Sequence, residues 1–192
     1  SQGRSRLPLP VVEATVDQIN NSIVETARDA KFKDQKVYVL DGTGLTIQHT
    51  EENLSQYPQC STKKTKAHYP LVRMVIATDA VSRVTLRPAI GAFHGDKAKG
   101  ESELAMRILP LIPKGAVVIA DRFYGFFRMI YETFNTGHQV TFRLAERRAA
   151  KFIGLQPKEP SGDMPVTWKP SPGERRKYSD LKEKSIPGRL VW

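Results

Sequence analysis

Residues 116–121 read Ala-Val-Val-Ile-Ala-Asp, an uninterrupted apolar run that ends in a carboxylate. Such a run is typical of a strand that is buried on both faces of a sheet. Residues 37–41 read Val-Tyr-Val-Leu-Asp and repeat the pattern. In sheets that are covered by helices, sites assemble at the carboxyl ends of the strands. If the two strands are neighbours, we therefore expect Asp41 and Asp121 to point into one crevice.

Two close carboxylates have a defined chemistry. They repel each other, and one stays protonated unless a cation joins them. Mg²⁺ suits such a pair because it prefers oxygen ligands, and two such ions about 3.5–4 Å apart can promote phosphodiester cleavage. A simpler interpretation stays open for each residue. Asp41-Gly42-Thr43 is a turn signal, and an aspartate that follows a strand is often a helix cap.

The remaining patterns predict a chain in which helices and strands are mixed. Apolar spacing predicts helices over residues 11–33, 101–112 and 125–136. Apolar and β-branched runs predict strands over residues 71–78, 81–92 and 139–144, with a hairpin turn at residues 78–80. The sequence therefore predicts an α/β fold that contains both buried acid-ending strands.

Charge gives the first indication of a partner. The chain of 192 residues carries a formal charge of +10, and residues 61–192 hold 24 basic but only 12 acidic residues. A field of this sign attracts polyanions, of which nucleic acid is the commonest. A soluble protein with a basic surface is the other interpretation.

Composition excludes several classes of protein. An apolar fraction of 40% and a charged fraction of 26% are typical of a globular domain. Cys60 is the only cysteine, which excludes a disulfide framework and a cysteine-based zinc site and fits the cytoplasm. No apolar run is long enough for a membrane helix. Because residue 1 is not Met and residues 186–192 are largely apolar, we expect the chain to be a piece of a longer one.

Five segments, taken in order, carry a resemblance to a known family. They are Tyr38–Gly44, His68–Arg73, Gly95–Glu103, Val118–Tyr124 and Gly137–Arg143. With this ordered set, which spans roughly residues 36–144, the sequence resembles the insertion-sequence transposases of the DDE type. The resemblance implies an RNase H-like core, with a mixed five-stranded sheet flanked by helices and a β-rich insertion. It divides the chain into a helical lead-in (1–35), a partial catalytic core (36–150) and the start of the insertion or a linker (151–192).

The same resemblance implies a function. Asp41 would be the first catalytic acid and Asp121 the second, and both would bind Mg²⁺ or Mn²⁺. The reaction would be hydrolysis of a phosphodiester at a transposon end, followed by attack of the freed 3′-hydroxyl on target DNA. The implied partners are transposon-end DNA, target DNA and a second copy of the chain, at the nucleoid in the cytoplasm.

One part of the family pattern is missing. The third acid of the family is a Glu on a later helix, within a pattern of Tyr, Arg three residues on, Glu four further and Lys seven beyond that. No Tyr of this chain is followed by an Arg three residues later. We therefore expect the chain to end before that helix and to be inactive or impaired by itself.

Two further hypotheses stay open. A remnant of a transposase would bind DNA through its basic face without chemistry. A stand-alone RNase H-like nuclease would need a third and a fourth acid, for which Asp96, Glu101 and Glu103 are the nearest candidates.

Basic residues near the two strand ends are candidate contacts for DNA phosphates. They are Lys63, Lys64, Lys66, His68, Arg73, Arg122, Arg143, Arg147 and Arg148. Solvated surface charge is the alternative interpretation for each of them.

Overall fold

A computed structural model describes residues 8–26, 31–60, 67–154 and 160–192 of the chain. The helices are α1 (Leu9–Thr26), α2 (Glu51–Gln56), α3 (Glu101–Ile108), α4 (Phe127–Asn135), α5 (Glu146–Ile153) and α6 (Pro172–Lys177). The strands are β1 (Val37–Thr46), β2 (Leu71–Asp79), β3 (Ala89–Ala92), β4 (Val117–Ala120), β5 (Gln139–Phe142), β6 (Asp163–Trp168) and β7 (Ile186–Val191). In the described ranges, no helix combines the length and the apolar character that crossing a bilayer requires.

Five strands form a mixed sheet in the order β3-β2-β1-β4-β5. Strand β1 pairs antiparallel with β2, and β2 pairs antiparallel with β3. Strand β4 runs parallel to β1, and β5 runs parallel to β4. Strand β1 is therefore central, with an antiparallel neighbour on one side and a parallel neighbour on the other. The α/β fold with a mixed five-stranded sheet flanked by helices is the one that the sequence predicted.

The two faces of the sheet differ in their cover. Side chains alternate between the faces along a strand. Tyr38 and Leu40 of β1 are at most 2% exposed and pack in a core that includes Leu104 of α3. On the opposite face, Val39 and Ile119 are 39% and 37% exposed. Because of this alternation, Asp41 lies on the more open face of the sheet and Gly42 lies on the face that α3 covers.

Strands β6 and β7 form a separate antiparallel pair, with α6 between them in the chain. Leu181 and Ile186 of this segment pack against Phe127 and Ile130 of α4. The segment therefore shares a small apolar cluster with the main sheet's helix. The predicted domain boundaries at residues 35/36 and 150/151 stay predictions.

Strand β1 shows that the turn prediction for Asp41-Gly42-Thr43 was wrong. The strand continues to Thr46, because residues 41–43 pair with residues 76–74 of β2. The parallel pairing with β4, in contrast, ends at Leu40 and Ala120. Asp41 is therefore not the last residue of its strand, but it lies where the neighbour β4 stops.

The helix predicted over residues 11–33 is shorter at its carboxyl end. Helix α1 ends at Thr26 in the described residues, and residues 27–30 lie outside them. Lys33 and Asp34 adopt positive φ angles of 48° and 64°. A right-handed helix cannot continue through such residues, so the prediction ran too far.

The return strand predicted over residues 81–92 is also shorter. Only residues 89–92 form β3. Arg83 has a φ of 64°, which interrupts an extended chain. Pro88 has no N–H to donate to a ladder. The continuous ladder with β2 therefore starts one residue after the proline, and an isolated bridge between Thr78 and Thr85 precedes it.

Candidate active site

The sheet brings the two predicted acids to one edge. In the parallel pair of β1 and β4, Leu40 lies opposite Ala120. Asp41 and Asp121 are the next residues of the two chains, and both are exposed. The structure confirms that the two strands are neighbours. The prediction that both acids follow strands buried on both faces is wrong, because Asp41 lies within β1 and Val39 and Ile119 are 39% and 37% exposed. The catalytic role of the two acids stays a prediction.

Each of the two carboxylates is held by a backbone amide of its own segment. Asp41 Oδ1 accepts a hydrogen bond of 2.9 Å from Gly42 N, and Asp121 Oδ1 accepts one of 2.8 Å from Phe123 N. Amides of alternate residues of β1 face β4, so the end of β4 leaves the Gly42 N–H without a strand partner. The Asp41 side chain takes that donor. Neither aspartate forms an ion pair within the described ranges.

A third acid reaches the same edge from α3. Glu101 lies in the first turn of this helix. A Cβ built on Gly42 would meet the carboxyl carbon and Oε1 of Glu101. The Glu101 carboxylate therefore occupies the space that the missing side chain of Gly42 leaves, next to Asp41 in the chain. Of the three acids held in reserve for a nuclease, Glu101 is the one that the fold brings to the pair.

Tyr124 connects the three acids. Its side chain is 1% exposed. Burial raises the pKa of Tyr124, and a hydrogen bond with Glu101 and the negative charges of Glu101, Asp41 and Asp121 raise it further. The hydroxyl thus lies within the field of all three carboxylates. Sequence reasoning missed the position of Tyr124 beside the acids, because an aromatic residue at the start of a helix is usually a core residue.

The carboxylates supply the oxygen donors that Mg²⁺ and Mn²⁺ take in proteins. As they stand, no three His, Cys, Asp or Glu side chains among the described residues are close enough to hold a metal ion. Asp41 and Asp121 are exposed, so their side chains have room to rotate. The carboxylate oxygens are therefore of the kind that a divalent cation prefers, and the side chains would have to move closer together to bind one.

The basic residues form two groups. Arg122, Arg143 and Arg147 are exposed. Arg73 instead stacks on the Phe93 ring, with its guanidinium carbon 4.1 Å from the ring centroid. Arg148 donates from Nη1 to Gly125 O over 2.9 Å. The first three arginines are open to a ligand, whereas Arg73 and Arg148 make contacts within the chain.

The other predicted DNA contacts lie in one loop. Lys63, Lys64 and Lys66 are outside the described residues. His68 is exposed, and its ring lies edge-on to Tyr69 at 4.6 Å between centroids. The structure therefore leaves the phosphate-binding role of this loop as a prediction.

A cavity of about 700 Å³ lies between β5 and the β6–β7 pair. Phe142, Trp168 and Ile186 contribute to its apolar walls, and its lining contains no acid. It is therefore not part of the carboxylate cluster.

Comparisons with known proteins were made for the whole chain. No family model matches the sequence, and no curated protein matches it. One similar solved structure is a cryo-EM structure of the piggyBac transposase synaptic complex with hairpin DNA, with a TM-score of 0.44 and 12% identity. The similarity covers 81% of this chain and 32% of that one, so the chain spans about a third of that transposase. The similarity is too weak to support a function for this chain, and the fold is assigned from the order and direction of the strands.

Proposed function

We propose that the chain is a fragment of the catalytic core of a DDE-type DNA transposase, with Asp41 and Asp121 as its metal-binding acids and without the family's third acid. The observation that supports this most is the register of the central strands. Leu40 lies opposite Ala120 in the parallel pair, so both aspartates leave the same edge of an RNase H-like sheet. Sites in open sheets with parallel strands form at this edge.

Electrostatics support a cation at the acid pair. The chain carries a formal charge of +10. Even so, neither Asp41 nor Asp121 forms an ion pair in the described ranges. A divalent cation bound there would neutralise the two charges and lower the pKa of a bound water. The basic residues of the same chain attract the DNA backbone to the acids.

The proposed reaction has two steps on DNA. Water attacks a phosphorus atom at the transposon end, the P–O3′ bond breaks, and a 3′-hydroxyl and a 5′-phosphate result. The freed 3′-hydroxyl then attacks a phosphorus of the target strand, a new P–O bond joins the two DNAs, and the P–O3′ bond of the target breaks and leaves a 3′-hydroxyl on the target. Asp41 and Asp121 hold the cation, and exposed arginines, among them Arg122, contact phosphates and fix the strand. Substrates would be the transposon ends and target DNA, and a second copy of the chain would hold the other end.

The test measures Mn²⁺ binding and DNA nicking together. Binding is followed by the loss of the electron paramagnetic resonance signal of free Mn²⁺, and nicking is scored on supercoiled plasmid. Asp41→Asn and Asp121→Asn should each weaken Mn²⁺ binding by about 10- to 100-fold and remove any nicking activity that the chain has by itself. Asp180→Asn replaces an exposed aspartate of the β6–β7 segment and is the matched control. Unchanged Mn²⁺ affinity in both aspartate variants would refute the site.

A second candidate function is DNA binding without chemistry. The separation of the acids in the structure favours it, because no three ligand-type side chains of the described residues are placed to hold a metal. This function predicts DNA binding that falls steeply with salt and does not depend on Mg²⁺. Duplex affinity measured with Mg²⁺ and with a chelator, at two salt concentrations, separates the two candidates. Tighter binding with Mg²⁺ supports the enzyme.

A further inference from the structure

A second cavity, of about 400 Å³, lies where helices α3, α4, α5 and α6 meet. Its walls differ from those of the apolar cavity in their charge. Three wall residues are cations, namely Arg148, Lys151 and Lys177, and one is an acid, Glu174. We call this cavity the basic pocket after its three cations.

Two wall residues show where the basic pocket lies relative to the acid pair. Ser102 follows Glu101 in the first turn of α3. Arg148 Nη1 donates to Gly125 O over 2.9 Å, in the turn that follows Asp121. The basic pocket therefore lies at the end of the sheet where the two aspartates leave their strands.

The acid of the basic pocket is already bound by groups of its own chain. Glu174 Oε2 accepts hydrogen bonds of 2.9 Å from Ser171 N and 2.8 Å from Ser171 Oγ. Glu174 Oε1 accepts one of 3.4 Å from Arg128 N, in the first turn of α4. Within the described ranges, neither Glu174 nor any of the three wall cations forms an ion pair. The positive charge of the wall is therefore available to a ligand.

Tyr178, another wall residue, shows that the surroundings favour negative charge. The guanidinium carbon of Arg128 lies 4.0 Å from the centre of the Tyr178 ring, and Lys177 Nζ lies 5.2 Å from it. Burial tends to raise the pKa of Tyr178, but Lys177 and Arg128 outweigh it, and the pKa lies below its ordinary value. An anion in the basic pocket would be stabilised by the same cations.

A phosphate group of a nucleic acid matches these walls. Arginine binds phosphate oxygens through paired N–H groups, and lysine binds them as a point charge. Both hydrogen bonds of the Arg148 guanidinium within the described residues come from Nη1, although a guanidinium has five N–H donors. Phe126 and Trp168 also line the basic pocket. Cations beside aromatic rings are typical of a surface that binds a nucleic-acid strand.

We propose that the basic pocket holds a backbone phosphate of the DNA strand that the acid pair cleaves. Arg148, Lys151 and Lys177 bind the phosphate oxygens, and the nucleotide lies against the aromatic part of the wall. This contact fixes the strand, so that the phosphodiester to be cut lies at Asp41 and Asp121. The inference rests on the proposed function, and it gives the two lysines a role in positioning rather than in chemistry.

The first experiment measures binding of a labelled duplex by fluorescence anisotropy in EDTA, so that no metal ion at the acids contributes. The double variant Lys151→Gln/Lys177→Gln should lower the slope of log K against log salt by about 1, as for the loss of one phosphate contact. Lys182→Gln/Lys184→Gln is the matched control, because both lysines are exposed and lie outside the wall of the basic pocket. Equal losses in the two double variants would overturn the proposal.

The second experiment takes its signal from the basic pocket itself. The chain has two tryptophans, of which Trp168 lines the basic pocket and Trp192 does not. In a Trp192→Phe chain, the fluorescence of Trp168 should change when the duplex binds in EDTA. The change should need a higher duplex concentration when Lys151 and Lys177 are replaced with Gln. An unchanged Trp168 spectrum at saturating duplex would contradict the proposal, and thermal melts establish that each variant is folded.

Inorganic phosphate is the second probe of the same chain. A Trp168 signal with inorganic phosphate but none with duplex would assign the basic pocket to a free phosphate and overturn the proposal.

The outcomes also separate this proposal from the proposed function. If Lys151→Gln/Lys177→Gln binds the duplex as the original chain does, while Asp41→Asn and Asp121→Asn lose Mn²⁺, the basic pocket is not a DNA site and the proposed function stands. If the lysine variant alone is impaired, the basic pocket binds DNA and the metal site is wrong.

Discussion

Lys36 and Asp79 form an ion pair that joins the start of β1 to the end of β2. Lys36 Nζ lies 3.3 Å from Asp79 Oδ2, and Asp79 is completely buried. The other oxygen, Oδ1, accepts hydrogen bonds of 2.9 Å from the amides of Val81 and Ser82. Burial tends to raise the pKa of Asp79, but these amides and the Lys36 ammonium outweigh it, and the pKa lies below its ordinary value.

We expect Asp79→Asn to destabilise the fold by about 3 kcal/mol, because it removes the buried carboxylate charge that pairs with the Lys36 ammonium. The depressed pKa means that ionised Asp79 stabilises the folded state at all pH values above its ordinary pKa, about 3.9. This contribution is lost as the pH falls through the lower folded value. Urea unfolding between pH 7 and pH 3 measures it. The gap between the original chain and the variant should be constant above pH 5 and narrow below pH 4, whereas Asp180→Asn should follow the original chain throughout.

Gly42→Ala tests the contact between β1 and α3. The added Cβ would displace the Glu101 carboxylate, so the free energy of unfolding should fall by about 1 kcal/mol. Gly188→Ala is the matched control. Gly188 also lies in a strand, β7, and nothing lies within 4 Å of its Cβ position. Equal unfolding free energies of the two variants in urea would contradict the close contact between Gly42 and Glu101.

Arg147 and Arg148 are neighbours in the chain, but replacing them should lower the stability of the fold to very different extents. Arg148 Nη1 donates to Gly125 O over 2.9 Å and fixes the turn that follows Asp121. A hydrogen bond from a charged group contributes about 1.5–3 kcal/mol, so Arg148→Ala should lower the unfolding free energy by an amount in this range. Arg147→Ala, at an exposed position, should change it by less than about 0.5 kcal/mol. Chemical denaturation distinguishes the two, and equal losses would disprove the assignment.

Arg143 and Arg147 should contribute to DNA affinity. If each contacts one phosphate, replacing both with Ala should reduce the slope of log K against log salt by about 2. Arg175 and Arg176 of α6 are also exposed, and their double alanine variant is the control for total charge. A fluorescence anisotropy titration at several salt concentrations gives both slopes. The same loss in both double variants would mean that DNA binding is not specific to the arginines near Asp121.

The sequence predicted those features that depend on residues close together in the chain. The runs before Asp41 and Asp121 are apolar because β1 and β4 are central strands of the sheet, and this pattern is visible without any structure. Asp41-Gly42-Thr43 was misread as a turn because pairing with β2 overrides a local preference. Such pairing depends on a strand that begins about thirty residues later, which no short window contains.

Glu101 could not be placed at the acid pair from its own segment. An acid in the first turn of a helix is explained by the helix dipole, and Glu101 and Glu103 look alike on that basis. A difference was present in the spacing. Both acids have a lysine four residues before them, Lys97 and Lys99, but the residue four after Glu103 is Arg107, whereas the residue four after Glu101 is Ala105. The contact with Gly42, in contrast, depends on how α3 crosses the sheet.

Strand β1 loses one of its two neighbours halfway along its length, because β4 ends at Ala120 while β2 continues opposite Thr46. In residues 41–46, alternate amides point toward β2, and the others point to the side where no strand follows. Hydrogen exchange along this half should therefore alternate between slow and fast residues, whereas residues 37–40 should exchange slowly throughout. Asp41 lies at the boundary between these two halves of the strand. Its amide points toward β2 and should exchange slowly, whereas its carboxylate borders residues whose amides have no neighbouring strand on one side.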